Sequence, residues 1–151
     1  MKSVQAIFTT IATVGSLTLV PVAHGSTAVG LDLGYRALSL RSDVNPMTFI
    51  QADIGSAWGY DNVAVGVDFC RQFSGSIESS SEPEFFYGIG AQTGAAGKDS
   101  AVALRLPLGL SWNIRDTRIQ IGIAAVPELI FEKDSTSTGV AVSAPLRIRL
   151  N

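Results

Sequence analysis

The stretch Val102–Ile114 reads Val-Ala-Leu-Arg-Leu-Pro-Leu-Gly-Leu-Ser-Trp-Asn-Ile and resolves into two faces. Val102, Leu104, Leu106, Leu108, Leu110, Trp112 and Ile114 are all apolar; between them stand Ala103, Arg105, Pro107, Gly109, Ser111 and Asn113. Successive side chains of a strand point to opposite sides, so this is a long strand with one wholly apolar face. A soluble barrel or sandwich buries its bulky aliphatics and coats its outside with Lys, Glu and Thr. Here the second face is too small to coat anything and suits the crowded inside of a narrow barrel. The apolar face is then the outer one, and lipid is the solvent it meets.

The same period recurs along the chain. Ile119, Ile121, Ile123, Ala125, Pro127, Leu129 and Phe131 alternate with Arg118, Gln120, Gly122, Ala124, Val126, Glu128, Ile130 and Glu132. Val140, Val142, Ala144, Leu146, Ile148 and Leu150 alternate with Ala141, Ser143, Pro145, Arg147, Arg149 and Asn151. Shorter versions run over Ile50–Tyr60, Val63–Cys70 and Phe85–Gln92. A membrane-spanning strand needs about 9–11 residues, and most of these segments approach or exceed that.

Residues 1–25 stand outside this pattern. Lys2 supplies a short positive region, Ala6–Val20 is mostly apolar and uncharged, and Ala23-His24-Gly25 places small residues where a signal peptidase reads. The expectation is a secretory signal peptide cleaved before Ser26, the apolar run being shorter than the roughly 20 residues a helical span needs. No Cys follows the run, so lipoprotein anchoring is unsupported. Residues 26–151 then form one domain, and the expected location is the outer membrane.

Eleven Lys and Arg against thirteen acids give a net charge of −2, too mild to imply nucleic acid, and there is no basic run. Mean hydropathy is +0.30 with 16% charged residues. Apolar content spread over alternating strands fits a transmembrane barrel, because hydropathy windows average the two faces. Turn formers at Asp43–Pro46, Tyr60–Asn62, Ala96–Asp99 and Arg115–Thr117 mark short connections, Glu132–Gly139 a longer polar loop, and Ser74–Glu84 the longest connection. Val29, Leu31, Leu33 and Tyr35 share one parity while Leu38 and Leu40 take the other. A tight turn around Tyr35-Arg36 would split this region into two strands. Added to the six segments above, they give an antiparallel up-and-down transmembrane β-barrel of eight strands, closed by pairing Leu31's strand with Leu146's.

The order GLDLG, ALSLRSDVNPMTFIQADIGSAWG, NVAVGVDF, FFYGIGAQTG, ALRLPLGLSWNI, IQIGIAAVPELIFE and APLRIRL resembles a family of small bacterial outer-membrane barrel proteins of the eight-stranded, porin-like class. Those proteins similarly carry a YYGIG-like strand, an R-x-P-x-G-L-like strand and a strand ending in a P-x-L-like step. The resemblance covers nearly the whole chain after residue 25 and implies an eight-stranded barrel, with no activity and no catalytic residue. This chain lacks most of the family's linker between the first two strands. It ends in Arg149-Leu150-Asn151, where outer-membrane barrels commonly carry an aromatic.

Little in the residues points to chemistry. The only His, His24, leaves with the signal, so Ser-His or Cys-His pairs and His-rich metal sites are excluded from the remainder. No catalytic, cofactor-binding or metal-ligating residue and no cofactor is expected. By parity Asp32, Asp53, Asp68, Glu128 and Glu132 face inwards, as do Arg36, Arg41, Arg105, Arg118, Arg147 and Arg149. A polar pathway or carboxylate site is one reading. The favoured one is a structural charge network of Asp32, Asp53, Asp68, Arg105, Arg118, Glu128, Arg147 and Arg149 filling a bore only wide enough for side chains. Leu104, Leu106, Leu108, Leu110, Ile119, Ile121, Ile123, Leu146 and Ile148 are expected to face lipid. Cys70 reads as a packed interior thiol. The glycines of GIGAQTG lack the strand-to-helix context of a phosphate loop and relieve crowding in the lumen. Trp58, Tyr60 and Trp112 near strand ends suit an interfacial girdle.

Two functional classes follow. One is a structural or surface-interaction barrel whose partner is outer-membrane lipid, together with an external or periplasmic protein the sequence does not identify. The other is a barrel binding a small apolar ligand, either soluble in the periplasm or laterally from the membrane. The soluble version requires large aliphatics facing inwards.

Overall fold

A computed structural model describes residues 25–56, 63–73, 82–96 and 99–150. Apart from Gly25, the expected signal peptide lies outside the described residues, as do Trp58 and Tyr60. What is described is all-β and antiparallel. The strands are β1 Thr27–Asp32, β2 Ala37–Asn45, β3 Thr48–Ser56, β4 Val63–Phe73, β5 Glu84–Ala96, β6 Asp99–Arg105, β7 Leu108–Asn113, β8 Ile119–Phe131, β9 Thr136–Ser143 and β10 Pro145–Arg149.

These ten segments occupy eight places around a closed ring of hydrogen bonds. Both β6 and β7 lie between β5 and β8, and the register with each neighbour runs through the break unchanged. Pro107, facing Gly88 of β5, and Pro127 of β8, facing Leu106, cause the interruption, because neither has an N–H to give the ladder. The chain is held across the gap by Gly88 N–H to Pro107 O (2.8 Å) and Leu106 N–H to Pro127 O (3.0 Å). β9 and β10 likewise share one register against β8, separated at Ala144 before Pro145. The ring closes between β1 and β10, with Leu31 opposite Leu146.

The split near Tyr35 is present as a turn over Leu33–Arg36, with Arg36 at φ 50°. Two expected boundaries move. Thr136–Gly139 pairs with β8, which shortens the loop expected at Glu132–Gly139 to Glu132–Ser135, since β-branched Thr extends the ladder readily. The turn expected at Asp43–Pro46 sits at Pro46–Met47, after a bulge near Asn45, whose Oδ1 accepts the Met47 N–H at 2.9 Å.

The stagger of the ring follows from the pairing. A row starting at Ile148 passes through Val29, Leu40, Ala52, Val67, Ala91, Leu104 and Leu129 and returns to the last strand at Thr138, ten residues away. Ten residues of stagger over eight strands give a tilt of about 40°, using roughly 3.3 Å per residue and 4.7 Å between strands. Such a barrel has room inside for side chains and little else. Its interior cluster combines small Ala37, Ala64 and Ala124 with Val126 and three rings, Tyr35, Phe49 and Phe86. Phe49 and Phe86 meet edge to face at 5.4 Å.

Candidate functional site

The interior and the outer surface have exchanged the usual roles. Among the described residues the buried apolar set contains no Leu, Ile or Met. The interior instead holds Asp32, Asp53, Asp68, Glu128, Arg41, Arg105 and Arg147, each no more than 6% exposed. Strand alternation places these groups inside, and two glycines let the arginines reach their partners.

Arg105 of β6 lies in register with Gly90 of β5, which is opposite Asp68 of β4; on its other side Arg105 is opposite Glu128 of β8. Because Gly90 has no side chain, the guanidinium passes over β5, and Nη2 approaches Asp68 Oδ2 at 3.3 Å. Its Nε stands 3.8 Å from Glu128 Oε1. A Cβ on Gly90 would come within 2.0 Å of Asp68 Oδ1, and one on Gly66 within 2.2 Å of Arg105 Nη1. Tyr35 completes the group: its hydroxyl donates to Glu128 Oε1 at 2.8 Å, and its ring lies 4.8 Å from the Arg105 carbon.

Arg147 of β10 repeats the device. It crosses Gly30 of β1 to reach Ser39 of β2, donating to Oγ from Nε (3.0 Å) and Nη2 (2.7 Å). Asp53 lies one strand further on in the same row and accepts from Gln51 Nε2 at 2.9 Å. Arg41 lies 3.8 Å over the Phe49 ring and donates to Asp43 Oδ1 (2.8 Å) and Gln72 Oε1 (2.5 Å).

The expected network residues therefore divide. Asp68, Arg105 and Glu128 come together, and Arg147 lies in the row of Asp53. Asp32 is fully buried and serves the backbone: its Oδ1 accepts from Gly34, Tyr35 and Ala144 N–H at 2.9, 3.1 and 2.9 Å, and Oδ2 from the Ser143 hydroxyl. Arg118, Arg36 and Glu132 keep the inward parity but are exposed, because the strands end before them and parity there no longer means burial. Arg149 is half-buried at the mouth and donates to Thr117 O at 3.3 Å; it makes no ion pair with Asp53, Asp68 or Glu128 and instead lines a hollow with Glu82, Glu84 and Asp116. Sequence reasoning misses Tyr35, Ser39 and Gln72; the parity Ser39 shares with Arg41, and Gln72 with Asp68 and Cys70, is the signal that could have found those two.

Outside, Leu104, Leu106, Leu108, Ile119, Ile123, Leu146 and Ile148 are 40–56% exposed, while Leu110, Ile121 and Trp112 are half-buried. Aromatic rings gather on the outer face at the end holding both termini, where Phe73 stacks on Tyr87 at 5.6 Å and Arg71 lies 5.8 Å from the Phe73 ring. An apolar hollow of about 550 Å³ on the outer wall is bounded by Ile89, Leu104, Leu106, Pro127, Leu129 and Val140. The void inside, beside Tyr35, Asp53, Gln92 and Arg105, is about 10 Å³. Among the described residues no group of three His, Cys, Asp or Glu could hold a metal ion. Chemically, the interior arrangement pairs and immobilises opposite charges between strands.

No family model, curated protein or solved structure matches this chain.

Proposed function

We propose that this chain is an outer-membrane β-barrel that acts as a structural or surface-interaction element, with a lumen closed by its own side chains. The observation that carries the reading is the exchange of faces: among the described residues every buried charge is inside the barrel, and the exposed Leu and Ile side chains, Leu104, Leu106, Leu108, Ile123, Leu146 and Ile148 among them, lie on its wall. In water that wall would leave a continuous apolar surface far larger than a soluble monomer exposes. A 13-residue strand such as β5 or β8, tilted by about 40°, rises roughly 33 Å along the barrel axis, enough for the ~25 Å apolar band of an outer-membrane barrel. The closed ring leaves most backbone groups paired, as hydrocarbon demands. The rings at the terminal end suit one interfacial girdle.

A filled lumen argues against a pore. It also argues against a soluble apolar-ligand barrel: the void beside Arg105 is about 10 Å³, and the hollow of about 320 Å³ at the terminal mouth is lined mainly by Glu82, Glu84, Asn113, Arg115, Asp116 and Arg149, which do not suit an apolar ligand. The outer hollow keeps lateral binding of an apolar molecule as a second reading, to be checked by organic extraction of the purified protein.

The deciding experiment is fractionation of the tagged chain together with gel mobility with and without boiling. The reading expects detergent-dependent extraction with the outer membrane and a heat-modifiable band. Recovery as a freely soluble periplasmic protein would overturn it.

A further inference from the structure

Among the described residues a single charged side chain stands on the outer face of the strands, Arg71 of β4. The other strand charges take the inward parity. Arg71 is exposed and in register with Thr48 of β3 on one side and Tyr87 of β5 on the other. Facing residues on adjacent strands hold their Cβ atoms about 4.5–5.5 Å apart. A hydroxyl, a guanidinium and a phenol therefore line up on three neighbouring strands. No hydrogen bond or ion pair ties any of the three to another described residue. Arg71 has only the Phe73 ring, at 5.8 Å.

The row lies at the terminal end of the wall, among the exposed rings of Phe73, Phe85 and Tyr87. Along β5 the next outward residue after Tyr87 is Ile89. Ile89 is also one wall of the apolar hollow of about 550 Å³, together with Leu104, Leu106, Pro127, Leu129 and Val140. Glu128 borders the same hollow, but its carboxylate is inside the barrel, where Oε1 accepts from the Tyr35 hydroxyl. The three donors and the hollow thus adjoin, the donors near the mouth and the hollow towards the middle of the wall.

We infer that this stretch of wall seats one anionic phospholipid, its phosphate on Thr48, Arg71 and Tyr87 and an acyl chain in the hollow. The inference rests on the membrane placement proposed above. A guanidinium meets two phosphate oxygens at once through its fork of N–H donors, and the flanking hydroxyls can donate to the same group. Among the described residues the outward strand positions carry no carboxylate, so an ammonium headgroup finds no counter-charge. That selects an anionic lipid over a zwitterionic one. A free phosphate ion would meet the same donors but leave the hollow unfilled.

The test is native mass spectrometry of the purified barrel in detergent micelles doped with phosphatidylglycerol or with phosphatidylcholine of the same acyl chains. One retained phosphatidylglycerol per barrel is expected, and much weaker retention of phosphatidylcholine. Arg71→Gln should weaken phosphatidylglycerol retention by about ten-fold or more, the worth of a charge-assisted contact. Arg115→Gln, which removes an exposed cation from a turn at the same end, should leave it unchanged. Ile89→Trp fills the hollow and should weaken retention with Arg71 still in place. All three positions are exposed, so each variant should keep the heat-modifiable band.

Equal retention of the two lipids overturns the inference. So does an Arg71→Gln barrel that binds as before, or an equal loss in Arg71→Gln and Arg115→Gln. Displacement of the lipid by an equal concentration of glycerol phosphate would make the ligand a free phosphate and overturn it too. A detergent-dependent, heat-modifiable barrel that retains no phospholipid overturns this inference alone, whereas a freely soluble barrel overturns the membrane placement with it.

Discussion

Arg105 is the largest side chain among the fully buried ones, and it holds three strands to one another. Removing one member of a buried ion pair leaves an uncompensated charge and costs about 3–5 kcal/mol. Arg105→Ala, which strands Asp68 and Glu128 together, should therefore lower the urea midpoint of the micelle-bound barrel strongly. Arg115→Ala, in a turn where that side chain is 73% exposed, should change the stability by no more than about 0.5 kcal/mol and leave the midpoint nearly unmoved. Equal shifts would remove the network from any role in stability. Gly90→Ala tests the crossing itself: its Cβ would stand 2.4 Å from Val67 O and 2.0 Å from Asp68 Oδ1. It should destabilise by about 1–3 kcal/mol, the cost of overpacking, despite adding one methyl group. A neutral Gly90→Ala would mean that Arg105 does not need the gap. Alternation made the inward direction of Asp68, Arg105 and Glu128 readable from the residues alone. Which acid met which arginine was not readable, because that depends on the registers of β4, β5, β6 and β8 against one another, which the turns between them set.

At the scale of the element, Asp32 shows where parity misleads about role. It lies inside as its position implies, yet its carboxylate caps the Leu33–Arg36 turn and ties it to Ala144 and Ser143 at the barrel closure. Parity reports a side, and a carboxylate next to a tight turn finds backbone N–H groups before it finds an arginine. Asp32→Ala should cost several kcal/mol, since hydrogen bonds to charged groups are worth about 1.5–3 kcal/mol each and several are lost together. The fraction of heat-modifiable barrel after refolding should fall accordingly. Asp32→Asn keeps a carbonyl oxygen for the turn and should retain most of that fraction; if the two variants behave alike, the turn does not depend on this acceptor. The break at Pro107 and the step before Pro145 have a similar lesson. Proline was visible within the apolar stripes, but an unchanged register on both sides of each interruption is a property of the neighbouring strands.

For the whole molecule, the strand order and closure were legible because two-residue periodicity and turn chemistry act locally, and eight such segments in sequence have few ways to close. That β9 pairs, among the described residues, with β8 alone was not legible, since β1 stops at Asp32 before it reaches the start of β9. The proposed membrane placement makes a depth-dependent demand on the wall that folding alone does not. Leu106 lies at the middle of the β6–β7 strand and is 51% exposed; Val102, 48% exposed, lies nearer one end, opposite Phe131. An arginine on the lipid face costs roughly 2–4 kcal/mol near the bilayer midplane and about 0–1 kcal/mol near the interfaces. Leu106→Arg should thus reduce the membrane-assembled, heat-modifiable fraction sharply, and Val102→Arg only slightly. Gly109→Arg should also fail, but for a different reason. A Cβ there already comes within 2.7 Å of Phe86 Cζ and of Ala124 Cβ, so the side chain has no place in the lumen. In water the exposed Leu106 site would tolerate arginine as readily as Val102. Equal yields for those two variants, with Gly109→Arg still defective, would leave the filled barrel intact and remove the lipid from around it.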